Sequence, residues 1–486
     1  MKRHAQRGII ILTEKLLFYP AVLFLIEPIK FIKNYVTSLA QSLNDQGYEI
    51  TKIQQFKLAI ILSVILLCNR VCWSDVELVT LGKHTSKTTW WFANKSTMPW
   101  SRLFLASTQM MLHTYGITEG VIAIDETDNP RSKKTPFIGF AHKYFEKKSG
   151  GYKNGQEIVF LVLITSTVTI PVGFEFYEPD EGISQWKKSD KKLKKEGVAK
   201  KDRPKCPPAD TSYRSKTHIA ASLVKDFKKF NPGIKIKAVV ADALYGSKSF
   251  YDSMAEVGTQ LISQLKSDQK VTYRGEKYMV KDFFNKVFKP FPSTITVRGD
   301  AEQKVMFRAI RVYVNAHECK RFVIALKYEG QSEYRYFVAS NLSWRGQDIA
   351  NAYTLRWLVE VFFEDTKVNG GWFKMAKQQG EDGSEKSLTL SLLLDHAFLS
   401  HPEQKARIKS KLPAYTVGSL RALEAMKVTI DFTRHIINYD DPEAMLEKAL
   451  DRLKNIITLR ESKKHMSKNG LGYLNETASL KHKKVA

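Results

Sequence analysis

Cysteine is scarce in this chain of 486 residues: there are four, Cys68, Cys72, Cys206 and Cys319. Four are too few for a disulfide scaffold, and none forms a Cys-x-x-Cys pair of the kind zinc sites use. Long hydrophobic runs are scarce too. The longest, residues 58–68 with Ser63 allowed, is shorter than the roughly 18–20 residues that span a bilayer, so a buried helix is expected there. Residues 9–31 carry Glu14, Lys15, Glu27 and Lys30 among their apolar positions, which suits neither a signal-peptide core nor a membrane span. These absences lead to the expectation of a soluble protein in a reducing compartment, with no membrane partner.

Acidic residues are outnumbered. Lys and Arg total 76 against 50 Asp and Glu, a formal charge of +26. Such a field concentrates polyanions, and nucleic acid is the first candidate, with a membrane-surface role as the alternative. The 43% hydrophobic fraction and 11% aromatic content exclude a disordered chain. At roughly 150 residues per domain, about three structural units are expected.

Helical spacing dominates the start: Ile53, Phe56, Ile60, Ile61, Val64 and Leu67 recur every three or four positions. Residues 77–82 and 86–94 outline two short helices around a glycine turn, which suits either a helix-turn-helix or a plain helical pair with Trp90, Trp91 and Phe92 in the core. From Gly120 short apolar runs appear at 121–124, 158–164, 170–176 and 236–240, with a helical pattern at 215–230. That alternation indicates an α/β core. Residues 294–297, 305–314, 321–328 and 334–339 read as consecutive antiparallel strands, and helical patterning returns near Gly346 and persists to about Leu459. The expected division is a helical region 1–115, a catalytic α/β domain 116–375 with a β-rich insertion at about 268–342, and a helical region with a basic tail, 376–486. Residues 187–205 hold ten Lys and Arg against three acids. The expectation is a solvated loop whose Lys191, Lys192, Lys194 and Lys195 contact phosphates.

Phosphodiester chemistry needs divalent cations held by a few carboxylates. Asp125 ends the run Val121-Ile-Ala-Ile124, and Asp242 ends Ala238-Val-Val-Ala241. Acids in that position also serve as helix N-caps, but two in matching contexts favour metal ligation. Farther on, Tyr353, Arg356, Glu360 and Lys367 would share one face of a helix, with Trp357, Leu358, Val361 and Phe362 toward the core. An intrahelical ion-pair ladder gives the same spacing.

The spacing Tyr353-x2-Arg356-x3-Glu360-x6-Lys367 resembles the Tyr-Arg-Glu-Lys (YREK) signature of bacterial insertion-sequence transposases of the DDE type, and especially their cut-and-paste members. Ile124-Asp125-Glu-Thr127 is similar to that group's first Asp motif, and Val240-Ala-Asp242-Ala-Leu-Tyr245-Gly246 to its second. The resemblance implies an RNase H-like α/β core with a β-rich insertion. It also implies Asp125, Asp242 and Glu360 as catalytic ligands of two Mg²⁺ ions, for which Mn²⁺ substitutes. Tyr353, Arg356 and Lys367 would bind the DNA end, and Trp357 would either stack on a displaced base or pack in the core. Glu126, Asp128 and Glu364 are alternative or supporting acids.

The implied function is binding of terminal inverted repeats followed by metal-dependent cleavage and strand transfer into target DNA, by two protomers in a bacterial, nucleoid-associated setting. A catalytically inactive DNA-binding descendant and an RNase H-like host nuclease or resolvase are the alternatives. Sequence discrimination is assigned to the first hundred or so residues, and a chain beginning near Leu112 is expected to keep its fold.

Overall fold

The structure is a computed structural model that describes residues 24–131, 137–146, 149–208, 210–299, 301–374 and 379–457. The expected tail lies outside these, apart from its helical approach. The helices are α1 Lys30–Asn44, α2 Lys52–Cys68, α3 Trp73–Val79, α4 Ser86–Lys95, α5 Trp100–Thr114, α6 Glu181–Lys195, α7 Lys216–Phe230, α8 Lys248–Glu256, α9 Gly346–Thr354, α10 Trp357–Asn369, α11 Gly380–Leu399, α12 Pro402–Lys409, α13 Val417–Ile437 and α14 Pro442–Ile456. The strands are β1 Glu119–Arg131, β2 His142–Glu146, β3 Gly151–Ile164, β4 Thr169–Tyr177, β5 Lys235–Ala241, β6 Leu261–Leu265, β7 Lys270–Tyr273, β8 Glu276–Met279, β9 Phe291–Val297, β10 Ala301–Val314, β11 Cys319–Tyr328 and β12 Arg335–Ala339.

Strands β1, β3 and β4 pair antiparallel, β5 adds parallel to β1 on its other edge, and β6 adds parallel to β5. The order β4-β3-β1-β5-β6, with helices α7 and α8 carrying the chain to β5 and β6, is an RNase H-like α/β core. Helices therefore alternate with strands only in its second half, because tight turns suffice for antiparallel neighbours while parallel ones need crossovers. Beyond β6 the sheet continues without a break. β12 pairs with β6, and β11, β10 and β9 follow as antiparallel neighbours, which is the expected β-rich insertion.

Two compact units emerge. The larger, residues 28–72 and 91–424, contains the sheet. In it every residue from Leu58 to Leu67 of α2 is buried, while Ile53 near its start is 74% exposed. This helix is apolar all round because it is enclosed by other helices rather than lying on a surface. Thr51 and Gln54 close a capping box at its N-terminus. Tyr35 on α1, Ser107 on α5 and His396 on α11 form a buried chain of hydrogen bonds, 2.6 and 2.7 Å, and the His396 ring also meets the carbonyl of Pro171 at 3.0 Å. Helices α1, α2 and α5 thus pack into the same compact unit as the sheet. Starting the chain at Leu112 would strip that packing, which corrects the expectation of a separable N-terminal piece.

The smaller unit comprises residues 73–90 and 425–457 with the described stretch before Pro28. Phe24 packs edge-on against Phe432 at 4.8 Å, and the amide of Leu25 donates to the carbonyl of Val79. The expected short helices are α3 and α4, separated by a turn in which Gly82 takes φ +76°. On α4 Phe92 is buried, but Trp90 and Trp91 are 48% and 58% exposed along with Lys87 and Lys95. Among the described residues no single helix is long and apolar enough to cross a membrane.

Candidate active site

The parallel register of β1 and β5 brings the first two acids together. Ile124 pairs with Ala241, the last pair of the parallel ladder, so Asp242 follows the end of β5 while Asp125 sits within β1, which runs on to Arg131 rather than finishing there as expected. In parallel α/β sheets the crevice beyond the strand ends is where ligands bind. Asp125 is 8% exposed. Asp242 does cap the following turn, its Oδ1 accepting from the Leu244 amide at 2.7 Å. The capping and ligand roles are compatible, since one carboxylate oxygen remains.

The third acid arrives on a broken helix, which corrects the expectation of one continuous face. Tyr353 lies on α9, Arg356 in the break, and Glu360 and Lys367 on α10. The amides of Leu355 and Arg356 bond three residues back, to Ala352 and Tyr353, and those of Leu358 and Val359 do the same. This overwound turn rotates α10 relative to α9. Val359, Phe362, Phe363 and Thr366 consequently face the core, whereas Trp357 and Val361 are 47% and 41% exposed.

Arg356 is the hub. Its Nη1 lies 2.5 Å from Asp125 Oδ2 and 3.6 Å from Glu360 Oε1. Tyr353 stacks on Phe337 at 4.3 Å between ring centres. Lys367 reaches toward Asp128 at 4.0 Å and lies over the Trp372 ring. Trp357 carries Arg298 at 5.0 Å over its ring, and the Arg298 amide donates to Thr354 Oγ1 at 3.0 Å. A turn of the β-rich insertion therefore touches the helix break. Nothing in the local sequence pattern marks Arg298, because it belongs to a distant hairpin.

Glu126, one residue along β1, points to the opposite face. It accepts from the Tyr245 hydroxyl at 3.1 Å and lies 3.6 Å from Lys216 Nζ. Lys216 is also 2.7 Å from Glu157, which in turn meets His142 Nε2 at 2.9 Å. Asp128 accepts from the Tyr144 hydroxyl at 2.5 Å. Glu364 is exposed on α10. Sequence reasoning missed Lys216, whose place in a helical pattern gave no sign that it would meet two carboxylates.

Burial pushes the Asp125 carboxyl up to about 7; Arg356 opposes this, while Glu126, Glu360 and Asp242 reinforce it. Burial also pushes the Tyr353 hydroxyl up to about 12, with Arg356 pulling it down, and it lowers Lys367, against Asp128 and Glu360. The donor chemistry suits a hard divalent cation: several carboxylates crowd one crevice, and one of them is buried with too little compensating charge. The arrangement is nevertheless open. Among the described residues no group of three or more His, Cys, Asp or Glu is gathered closely enough to hold a metal ion; Arg356 occupies Asp125 Oδ2, and Oδ1 accepts from the Glu126 amide.

The basic stretch is a helix rather than a loop over its first half. Asp180 caps α6 by accepting from the Ile183 amide at 2.7 Å, lysines occupy its last turn, and none of its residues is buried. Lys191, Lys192, Lys194 and Lys195 all lie on α6 and are exposed. The expectation weighed burial alone, whereas a capped run of Lys is a good helix former in water.

Comparison with known families agrees with this geometry. Residues 85–281 match a family described as DDE superfamily endonuclease, and residues 210–382 match the transposase DDE domain. The first span includes Asp125 and Asp242, and the second includes Asp242 and Glu360. These matches support a DDE transposase family and a nuclease-type enzyme. No curated protein matches the chain.

Proposed function

We propose that the protein is a cut-and-paste DNA transposase of the insertion-sequence type, acting on terminal inverted repeats and target DNA through Asp125, Asp242 and Glu360. The observation that carries the proposal is the register-matched pair Asp125 and Asp242 facing Arg356 and Glu360 across one crevice. Asp125, Asp242 and Glu360 would hold Mg²⁺, or Mn²⁺ in its place, two ions per site. When bound, the cations supply charge stabilisation at the phosphodiester and lower the pKa of the attacking water.

The chain's own groups bind and orient. Freed from Asp125, Arg356 offers a planar fork to a phosphate, and Lys367 adds a point charge. Tyr353, held flat on Phe337, directs its hydroxyl toward the same strand, and exposed Trp357 offers a face for a displaced base. The lysines of α6 add sequence-independent phosphate contacts. Base discrimination belongs to other surfaces, with the N-terminal helical region through about Arg102 as the candidate and Ser86–Lys95 as its recognition helix. A pair of protomers would hold the two ends.

The test is Glu360→Gln. End-duplex binding is expected to stay near wild type while cleavage in Mg²⁺ is lost; undiminished cleavage sinks the assignment. The contact of Arg356 with Asp125 favours a second reading, a DNA-binding protein that no longer cuts. Cation-dependent nicking of end-sequence DNA by the purified wild type decides against it.

A further inference from the structure

The β2–β3 hairpin carries an exposed aromatic pair that the site described above does not use. Phe145 and Tyr152 are register partners across the hairpin, their rings meeting edge to face at 5.3 Å, and they are 52% and 56% exposed. Two ammonium groups lie over the Tyr152 ring: Lys143 of β2 at 5.3 Å and Lys191 of α6 at 5.5 Å. The nearby acids are already engaged, Glu146 with Lys153 at 2.6 Å and Asp190 with Arg203 at 2.9 Å. One ring thus gathers two cations from two different elements, neither of them in an ion pair among the described residues.

We propose that Tyr152 organises Lys143 and Lys191 into a clamp for the phosphate backbone of duplex DNA, with Phe145 lying against the deoxyribose. Free lysines lose rotamer entropy when they grip a phosphate. A ring that already restrains both removes part of that cost in advance. The charge of +26 makes a polyanion the fitting occupant, and two cations set beside one exposed ring suit a rod of repeating charge. The sheet also fixes the position of the clamp. Asp125 pairs with Phe160 on β3, eight residues from Tyr152 (160−152), which is about 26 Å at roughly 3.3 Å per residue. A duplex leaving the carboxylates over the outside of the molecule in the direction of the β2–β3 hairpin would meet the clamp after about eight base pairs at 3.4 Å each.

This inference rests on the reading of the chain as a protein that acts on DNA, and the experiment separates the two. Binding of wild type, Tyr152→Leu and Tyr152→Phe to arbitrary-sequence duplexes of about 6 and about 30 base pairs is measured by fluorescence anisotropy across a KCl series. Tyr152→Leu keeps the bulk and removes the ring, while Tyr152→Phe keeps the ring; circular dichroism checks that both fold. For the long duplex Tyr152→Leu is expected to bind about fivefold more weakly, with a salt slope lower by about 0.9 for each phosphate no longer gripped. Tyr152→Phe should match wild type, and on the short duplex all three should agree. The clamp is overturned if Tyr152→Leu binds the long duplex with wild-type affinity and slope, or if Tyr152→Phe is as weak as the leucine variant. A wild type that binds no duplex at low salt overturns the DNA reading itself.

Discussion

Asp125 and Glu126 are neighbours on β1, and the two faces of that strand treat their charge differently. On the face of Glu126, Lys216 lies between two carboxylates and His142 hydrogen-bonds the second, so both carboxylates have direct partners within a half-buried network. On the face of Asp125, one guanidinium answers for Asp125 and Glu360 together while Asp242 stands close by. The first arrangement is closed and structural. The second is left short of positive charge in the place where the proposed chemistry needs a cation.

The largest test of this contrast is catalytic. Asp125→Asn should lower single-turnover cleavage of an end duplex by about 10³-fold or more, whereas Glu126→Gln should cost about tenfold at most. Equal losses would mean that both faces belong to the reaction centre. Next comes stability in the absence of metal. Lys216→Met leaves two half-buried carboxylates without their shared cation and should cost roughly 1–2 kcal/mol by denaturant titration. The double change with Glu126→Gln should recover part of that. Arg356→Met should cost less, since Asp125 takes up a proton near neutrality.

Acid–base behaviour should differ in sign between Asp125 and Glu157, although burial raises Glu126 just as it raises Asp125. The folded-state pKa of Asp125 is raised to about 7 from 3.8, so its stabilising contribution is complete below about pH 4 and is lost as pH rises through 7. Asp125→Asn should therefore melt several degrees above metal-free wild type at about pH 8, the gap closing near pH 4. Glu157 resists ionisation through its burial, but the His142 hydrogen bond and Lys216 outweigh this and lower its pKa. Its contribution is present above the ordinary carboxylate range and lost as pH falls, so Glu157→Gln should melt below wild type at pH 7 and approach it in acid. The smallest expected effect is competition: Arg356→Gln should bind Mn²⁺ about threefold more tightly by calorimetry without DNA, because it removes the cation that now occupies Asp125. Unchanged affinity would show that the guanidinium does not guard the crevice.

Much of this was legible in the residues. The apolar run ending in Asp242 announced a strand end and the spacing from Tyr353 to Lys367 marked the third element, but the run ending in Asp125 did not, since β1 continues to Arg131 along β3. The break at Leu355 and Arg356 was not legible, since no proline or glycine stands there and overwinding is imposed by packing on both sides. Nor were Arg298, which reaches the helix break through hairpin geometry set far away in the chain, and Lys216, which α7 carries to the opposite face of β1. The α6 helix was missed because its stability comes from a cap and from lysine's preference for helix, which no apolar stripe reveals.

The continuity of the sheet from β6 into β12 carries one more consequence. Leu265, where the chain leaves the core, pairs directly with Tyr336, where it returns 71 positions later (336−265). Departure and re-entry points are thus one strand spacing apart, about 5 Å. Whatever length of chain is spliced between them, the doorway keeps its width, and Asp242 and Glu360 keep their separation. The excursion is free to grow, shrink or be exchanged, as long as its last strand still zips onto β6.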